Sequence, residues 1–379
     1  MSTLSHKAAI VGVAESPLGK VGDMNPLQLQ AYAARDALQE CGINKNEVEA
    51  VFSAGPFSYM QTMAISEYLG IVPKFTDSTN IGGSSFEAHI QHAVAGINAG
   101  LFEVALITYG SNQKSKKGRP GSKVELDQYE SPYGLPYPLG AYALAAQRHM
   151  HLYGTTSEQL AEVAVATRKW ANLNPKAYVH GDLTIDDVLN SPVIASPLHL
   201  YDCCLLTDGG GALVVVSANR TRNCKTKPIW ILGTGETHTH QNISSVPDLT
   251  TTGAKISGAR AYEMAGITPN EVDVVQLYDS FTITVMLQLE DLGFCGKGES
   301  GDFVSNQRLA PTGDFPANTS GGGLSYCHPG LFGIFLLIEA VRQLRGECGE
   351  RQVPDAKIAL CNGMGAVLSS SCTVILGRD

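Results

Sequence analysis

The run NTSGGGLSYCHPG at 318–330 sets a histidine before proline and glycine, between Gly-rich segments. That setting suits a loop at a site better than a packed core, so His328 is the first candidate for chemistry. Tyr326 stands two residues before it. A second tyrosine, Tyr278, ends an apolar run and precedes Asp279 in YDSFT, and Cys361 ends another apolar run in IALCNGMG. Imidazole, phenol and thiol groups move protons. A phenol, with an ordinary pKa of about 10, suits donating a proton; it accepts one only where a cationic or hydrogen-bonding neighbour lowers that value. Each has a plainer reading. Tyr326 can pack in a Gly-rich turn, Asp279 can cap the following helix, and a free cysteine ending a strand is commonly a small buried hydrophobe.

A further Gly-rich turn, NIGGSSFEAHIQHA, occupies 80–93. Ser84 to Glu87 reads S-S-F-E, a capping box opening the helix that follows. Ser84 is therefore expected to cap, because a nucleophilic serine needs an adjacent base and the local sequence offers none. No cysteine occurs between 42 and 202. Cys203 and Cys204 are expected to pack against LLTDGGGAL, and Asp208 to order a turn. The lysines and arginines at 114–124 read first as a solvated loop.

The elements that must position these loops follow from composition. The 379 residues are 44% hydrophobic and 17% charged, with 40 glycines and 7% aromatics. This Gly/Ala/Val-rich balance suits an α/β protein better than a sandwich or a helical bundle. The net charge of −9 argues against nucleic acid or an anionic membrane as main partner. No 18-residue apolar run marks a membrane span, and the N-terminus enters a strand pattern without the long apolar region of a signal peptide. Nine cysteines with no CxxC spacing are expected as free thiols in a reducing cytosol, without a metal.

The sequence also repeats. ALQECGINKNEVEAVF at 37–52 is answered by AYEMAGITPNEVDVVQ at 261–276, EYLGI by EDLGF, NIGGSS by NTSGGGLS, and VALITYGSN by IALCNGMGA, all in the same order. Two copies of one α/β unit are expected, with strands near 7–13, 50–54 and 104–109, and again near 229–235, 273–278 and 358–361. The halves are drawn at 1–225 and 226–379, the first carrying an insertion at 111–200. The insertion opens with a basic loop at 111–123, expected to be mobile surface. Helices follow at 139–154 and 157–174, the second capped by Thr156 or Ser157.

Duplicated α/β halves, a Gly-rich turn opening a helix in each, and His-Pro-Gly in the second turn resemble the thiolase superfamily. The likeness is closest to the sterol-carrier-protein-x type. It rests on YGTTSEQLAEVAVATRKWANLNPKAY, DGGGALVV, YDSFT…LEDLGFCGKGE, NTSGGGLSYCHPG and CNGMG, and spans the whole chain. It implies a five-layered α-β-α-β-α fold with four loops meeting between the halves. His328 matches the family's histidine, although Cys327 replaces the usual glycine. Cys361 matches the proton-transferring cysteine, and Tyr278 takes an Asn/His position. The nucleophilic cysteine should fall at about Gly83 or Ser84, and it is missing.

Without that nucleophile the expected reaction is retro-aldol cleavage of a β-hydroxyacyl-CoA. A tyrosine takes the hydroxyl proton, and His328 with N–H groups of the Gly-rich loop stabilises the enolate. Cys361 then exchanges a proton at the α-carbon. The resemblance implies catalysis by Tyr278, Tyr326, His328 and Cys361. It is closest to the nucleophile-lacking aldolases of steroid side-chain degradation, which implies a 17-hydroxy steroid with a short CoA-thioester side chain. The products would be a 17-ketosteroid and a short acyl-CoA such as propionyl-CoA. Which tyrosine is base and which is acid stays open, and residues 114–124 are an alternative site for CoA phosphates. No cofactor or metal is implied beyond the CoA of the substrate. A homodimer is expected, with a small OB-fold zinc-ribbon partner giving a heterotetramer. A thiolase-type acyltransferase using another nucleophile, and a non-catalytic CoA or lipid carrier, are the competing classes.

Overall fold

The computed structural model describes residues 4–55, 59–116 and 130–378. The first half runs β1 (Ala8–Glu15), α1 (Pro26–Cys41), β2 (Ala50–Ser53), α2 (Gln61–Leu69), β3 (Phe75–Asp77), α3 (Ser85–Asn98) and β4 (Val104–Ser111). The insertion contributes α4 (Leu139–Tyr153), α5 (Ser157–Asn172), α6 (Ile185–Leu189) and the short pair β5 (Val193–Ala195) and β6 (Leu198–His199). Then come β7 (Gly209–Ser217), β8 (Ile229–His238), α7 (Ala254–Ala265), β9 (Val274–Leu277), α8 (Thr282–Asp291) and α9 (Ser300–Val304). The chain closes with α10 (Gly333–Arg345), β10 (Ile358–Gly365) and β11 (Ser370–Gly377).

The large sheet has the order β3-β2-β4-β7-β1-β8-β11-β10-β9. Its two sides meet where β1 and β8 pair through only Ala9–Trp230 and Ile10–Ile229. Outward from that seam, both sides run antiparallel, antiparallel, parallel, and then parallel again. On the far side the last step is a single bridge from Val275 to Ala317. The repeated sequence has a local cause. Gly42 and Gly266 close α1 and α7 at φ of +77° and +71°, where a side chain would be strained. Asn44 with Glu47, and Thr268 with Glu271, then form capping boxes on a single turn leading into β2 and β9. We propose the boundary between halves in the Cys224–Pro228 connection.

Helices α3 and α10 each touch strands from both sides of the seam, and so form a central layer. Alternate residues of the strands feed it: Ile10, Ala105, Ile107, Leu213 and Val215 pack with Phe86, Ile90 and Ile334. Their neighbours Val11, Val104, Leu106, Val214 and Val216 face Ala33, Ala37 and Leu38 of α1 on the outside. With α7 covering β8 and β11, this makes the expected α-β-α-β-α stack. Strands β7 and β11 are not among the expected ones: β7 opens on three glycines and β11 on Ser-Ser-Cys-Thr, so neither begins as an apolar run or shows polar alternation.

Thr156 caps α5, accepting from the Gln159 N–H. The expected mobility of the basic loop does not hold over its described beginning. There Ser115 donates its N–H to Asp208 Oδ1 (2.9 Å) and Lys114 Nζ donates to the Leu206 carbonyl (3.1 Å). The part from 117 to 123 lies outside the described residues.

Helix α7 lies close on β8 because Gly233 and Gly235 have no side chains. A Cβ on Gly233 would stand 2.1 Å from the Ala261 carbonyl oxygen, and one on Gly235 2.0 Å from that of Ser257. Gly233→Ala is expected to cost about 1–3 kcal/mol of stability by forcing the helix off the strand. Denaturant unfolding, with midpoint and slope both recorded, checks it.

Candidate active site

Tyr278 leaves β9 with its N–H bonded to the Asn362 carbonyl of β10 (3.0 Å), so its side chain points into the central layer. The ring lies against Gly83, where a Cβ would be 2.1 Å from Tyr278 Cε2 and 2.5 Å from the Met364 carbonyl oxygen. Tyr278 Oη is 3.0 Å from His328 Nε2 and accepts the Phe332 N–H at 3.3 Å. His328 is fixed through its backbone, donating to Thr207 Oγ1 (3.0 Å) and accepting the Thr207 N–H (3.2 Å). Its ring stacks on Phe332. Burial pushes the imidazole down to about 4 and the Tyr278 phenol well above its ordinary value, so both are neutral at pH 7.

Tyr326 is not brought to this pair. Its hydroxyl donates to Glu15 Oε1 (2.7 Å), at the end of β1. Glu15 is held in turn by both terminal nitrogens of Arg342 on α10 and by Lys176 Nζ (3.0 Å). Burial alone would raise the Glu15 carboxyl, but the Arg342 and Lys176 charges outweigh it and hold the group well below the carboxylate range. Burial, then the Glu15 charge, drives the Tyr326 phenol well up. Between the two phenols stand Phe332 and Phe335, stacked at 5.6 Å, with Tyr326 edge-on to Phe335.

Cys361 is buried on β10 with Sγ 3.5 Å from the Leu336 carbonyl of α10, one turn deeper than the Phe332 that meets Tyr278. Burial, and then nearby Glu87, push its thiol well up. Cys203 and Cys204 also join the region: Cys204 N–H donates to the Ser280 carbonyl (2.9 Å), Cys203 bridges Phe281, and the Cys204 thiol, after burial, adds to the upward push on Tyr278.

Three local expectations are corrected. Ser84 does not cap α3, and the S-S-F-E box is not formed. Ser84 Oγ turns instead to Ser370 Oγ (2.6 Å) and the Ile81 carbonyl, while Glu87 is swallowed by the core. Asp279 does not cap α8. It accepts the N–H groups of Gly323 (2.7 Å) and Leu324 (3.2 Å), and burial lifts its carboxyl to about 7. The N–H groups of the Gly-rich turn therefore do not form an oxyanion hole. Gly322 donates to Ser320, Gly323 and Leu324 to Asp279, Ser325 and Tyr326 to the Gly321 carbonyl, and Cys327 to that of Gly322. The last two bonds make the segment Gly322–Tyr326 a π-turn.

The insertion grips that turn. Arg168 Nε donates to Ser325 Oγ (2.9 Å), Asn174 to the Ser320 carbonyl (2.8 Å), and the Tyr178 N–H to the Tyr326 carbonyl (2.9 Å). Sequence reasoning missed Glu15, Arg342, Thr207 and Glu87. The signal for Glu15 was present as a lone acid ending the apolar strand AAIVGVAE. Glu87 was hidden by its fit to a capping pattern.

Residues 235–378 match the model of the thiolase C-terminal domain-like family. The chain is 34% identical over 367 residues to a 17-hydroxy-3-oxo-4-pregnene-20-carboxyl-CoA lyase of Mycobacterium tuberculosis, covering 90% of this chain and 92% of that one. It is 33% identical over 404 residues, covering all of both chains, to a steroid side-chain-cleaving aldolase of Thermomonospora curvata. Among solved structures, an Ltp2-ChsH2(DUF35) aldolase superposes with a TM-score of 0.90 at 32% identity over 99% of each chain.

Gly83→Ala is expected to fold but to lose the Tyr278–His328 hydrogen bond, because the methyl group and the ring cannot share one volume. A crystal structure of the variant, with its melting temperature, tests this. A ring left in place at 3.0 Å from His328 would contradict it.

Proposed function

We propose that this chain, which belongs to the thiolase superfamily, is a carbon–carbon lyase that cleaves a β-hydroxyacyl-CoA by retro-aldol chemistry. The substrate is a 17-hydroxy steroid with a short CoA-thioester side chain, and the products are a 17-ketosteroid and a short acyl-CoA such as propionyl-CoA. The observation that carries this reading is the Tyr278 ring seated on Gly83. A nucleophile at 83 would collide with the phenol, and Ser84 next to it is tied to another serine and a carbonyl with no base. Retro-aldol cleavage needs no acyl-enzyme, since the β-carbon leaves as a ketone.

Hydrogen-bond direction supports a division of labour between the phenols. The Tyr326 proton is committed to a carboxylate, so its oxygen meets a substrate hydroxyl only as acceptor. Tyr326 is assigned as base: the 17-hydroxyl proton moves to its oxygen as its own proton passes by way of Glu15 to solvent. The Cα–Cβ bond then breaks, and its electron pair passes onto the thioester as an enolate. At Tyr278 the Phe332 N–H donates to the phenol oxygen, and His328 Nε2 lies 3.0 Å from it. Tyr278, paired with that imidazole, is assigned as the acid that serves the enolate oxygen. The enolate carbon takes up a proton from the side of β10 and α10, where Cys361 lies.

A cytoplasmic homodimer completed by a small OB-fold zinc-ribbon subunit is part of the same reading. Strand β3 is a sheet edge, and beside it Tyr59 and Val72 are 90% and 95% exposed, with Met60, Met63 and Tyr68 also exposed, an apolar surface that favours pairing. The neighbour that superposes at a TM-score of 0.90 is an Ltp2-ChsH2(DUF35) aldolase, a pairing that supports the second subunit. Among the described residues no helix is long and apolar enough to cross a membrane.

Incubating the chain, alone and with such a subunit, with a 17-hydroxy steroid acyl-CoA is expected to release the 17-ketone and free short acyl-CoA. Tyr278→Phe and Tyr326→Phe should each lower kcat about 10²–10⁴-fold. Mass spectrometry showing an acyl group bound to the protein would favour acyl transfer. Unchanged function in Tyr278→Phe, Tyr326→Phe and His328→Ala would favour a carrier.

A further inference from the structure

Among the described residues, Glu87 is the one carboxyl with both oxygens buried and no hydrogen-bond partner. It is 1% exposed, on the face of α3 turned to α10 and β10. Two glycines make its place. A Cβ on Gly363 of β10 would stand 2.2 Å from Glu87 Oε2, and one on Gly333, the first residue of α10, 2.4 Å from it. The carboxyl is thus wedged between the start of α10 and β10, where any side chain at 333 or 363 would expel it.

That wedge lies directly behind the acid pair of the proposed site. Gly333 follows Phe332, whose N–H meets Tyr278 Oη. Gly83, one turn before Glu87 on α3, carries the Tyr278 ring, and its carbonyl oxygen would be 2.2 Å from a Cβ on Gly333. On β10, Cys361 is two residues from Gly363 and so on the same face of the strand. Its thiol is bonded one turn deeper, to the Leu336 carbonyl. Of the two acids at this junction, Glu87 sits nearer the level of Tyr278.

We propose that Glu87 supplies the proton taken up by the α-carbon of the enolate. The enolate π electrons form the new Cα–H bond as the Glu87 O–H bond breaks, leaving a carboxylate, and the thioester carbonyl is restored. Solvent reprotonates Glu87 when the acyl-CoA leaves, and the hydroxyl proton taken by Tyr326 and Glu15 returns to solvent, so each turnover balances. This rests on the lyase reading above.

The surroundings suit a neutral acid. Burial raises the carboxyl to about 8, with no lysine, arginine or histidine contributing. The titratable groups facing it are Cys361 from β10 and Cys372 from β11, both driven well up by burial and remaining thiols, and Tyr278 beyond Gly83. The raised carboxyl pKa gives the sign: the donor is present below pH 8 and lost above it.

The test is exchange of the α-hydrogens of propionyl-CoA in D₂O, alongside steroid cleavage, in wild type, Glu87→Gln and Glu87→Asp. The glutamine keeps the shape of the protonated acid but cannot give up a proton. Glu87→Gln is expected to fold, to be more stable than wild type above pH 8, and to bind with unchanged KM. It should lose both exchange and kcat about 10²-fold or more, and the fall in kcat through pH 8 should disappear. Glu87→Asp should retain part of the activity. Exchange and kcat in Glu87→Gln within about threefold of wild type would overturn the proposal. Absence of cleavage and of exchange in the wild type itself would instead strike the lyase reading.

Discussion

The contact between the Tyr278 ring and the bare Cα of Gly83 governs what this site can do. Gly83 lies in the turn just before α3, and the Tyr278 ring, one residue past the end of β9, fills the space that a side chain at 83 would need. The ring is in turn held at its far end by the Phe332 N–H and His328. A side chain at 83 and the phenol at this position exclude one another on volume alone.

Around that contact, rigidity comes from saturated backbone rather than from charge. The Gly-rich turn carrying Tyr326 and His328 spends its N–H groups on Asp279, Ser320 and its own carbonyls, and the insertion fastens it from outside through Arg168, Asn174 and Tyr178. A buried turn with every donor satisfied has one conformation, because releasing any N–H would leave a polar group without water or partner. The enolate of the proposed reaction would therefore be stabilised by side chains, such as the phenol and imidazole in contact, and not by these glycine amides.

The two tyrosines sit in opposite electrostatic settings though both are buried. Tyr326 faces an ionised carboxylate fixed by Arg342 and Lys176; Tyr278 faces a neutral imidazole, with a buried carboxyl behind the glycine beneath it. The Phe332–Phe335 stack links the two tyrosines, Phe332 edge-on to Tyr278 and Phe335 edge-on to Tyr326.

Much of this was legible in the residues. The repeat at 37–52 and 261–276 encodes a glycine C-cap and a capped turn, and local signals of this kind survive without tertiary context. The missing cysteine, His328 and the two tyrosines could be read directly, as could six strands and the insertion helices. What the sequence left undecided was the partner of each buried polar group. Tyr326 and Glu15 are 311 residues apart, and Asp279 reaches across 44 to the glycine turn. Ser84 and Glu87 fit a helix cap by spacing, yet one turned to Ser370, 286 residues away, and the other into the core. Spacing fixes neighbours along a helix, whereas desolvation makes each polar group take whatever the packed layers bring within reach, and only the assembled fold decides that.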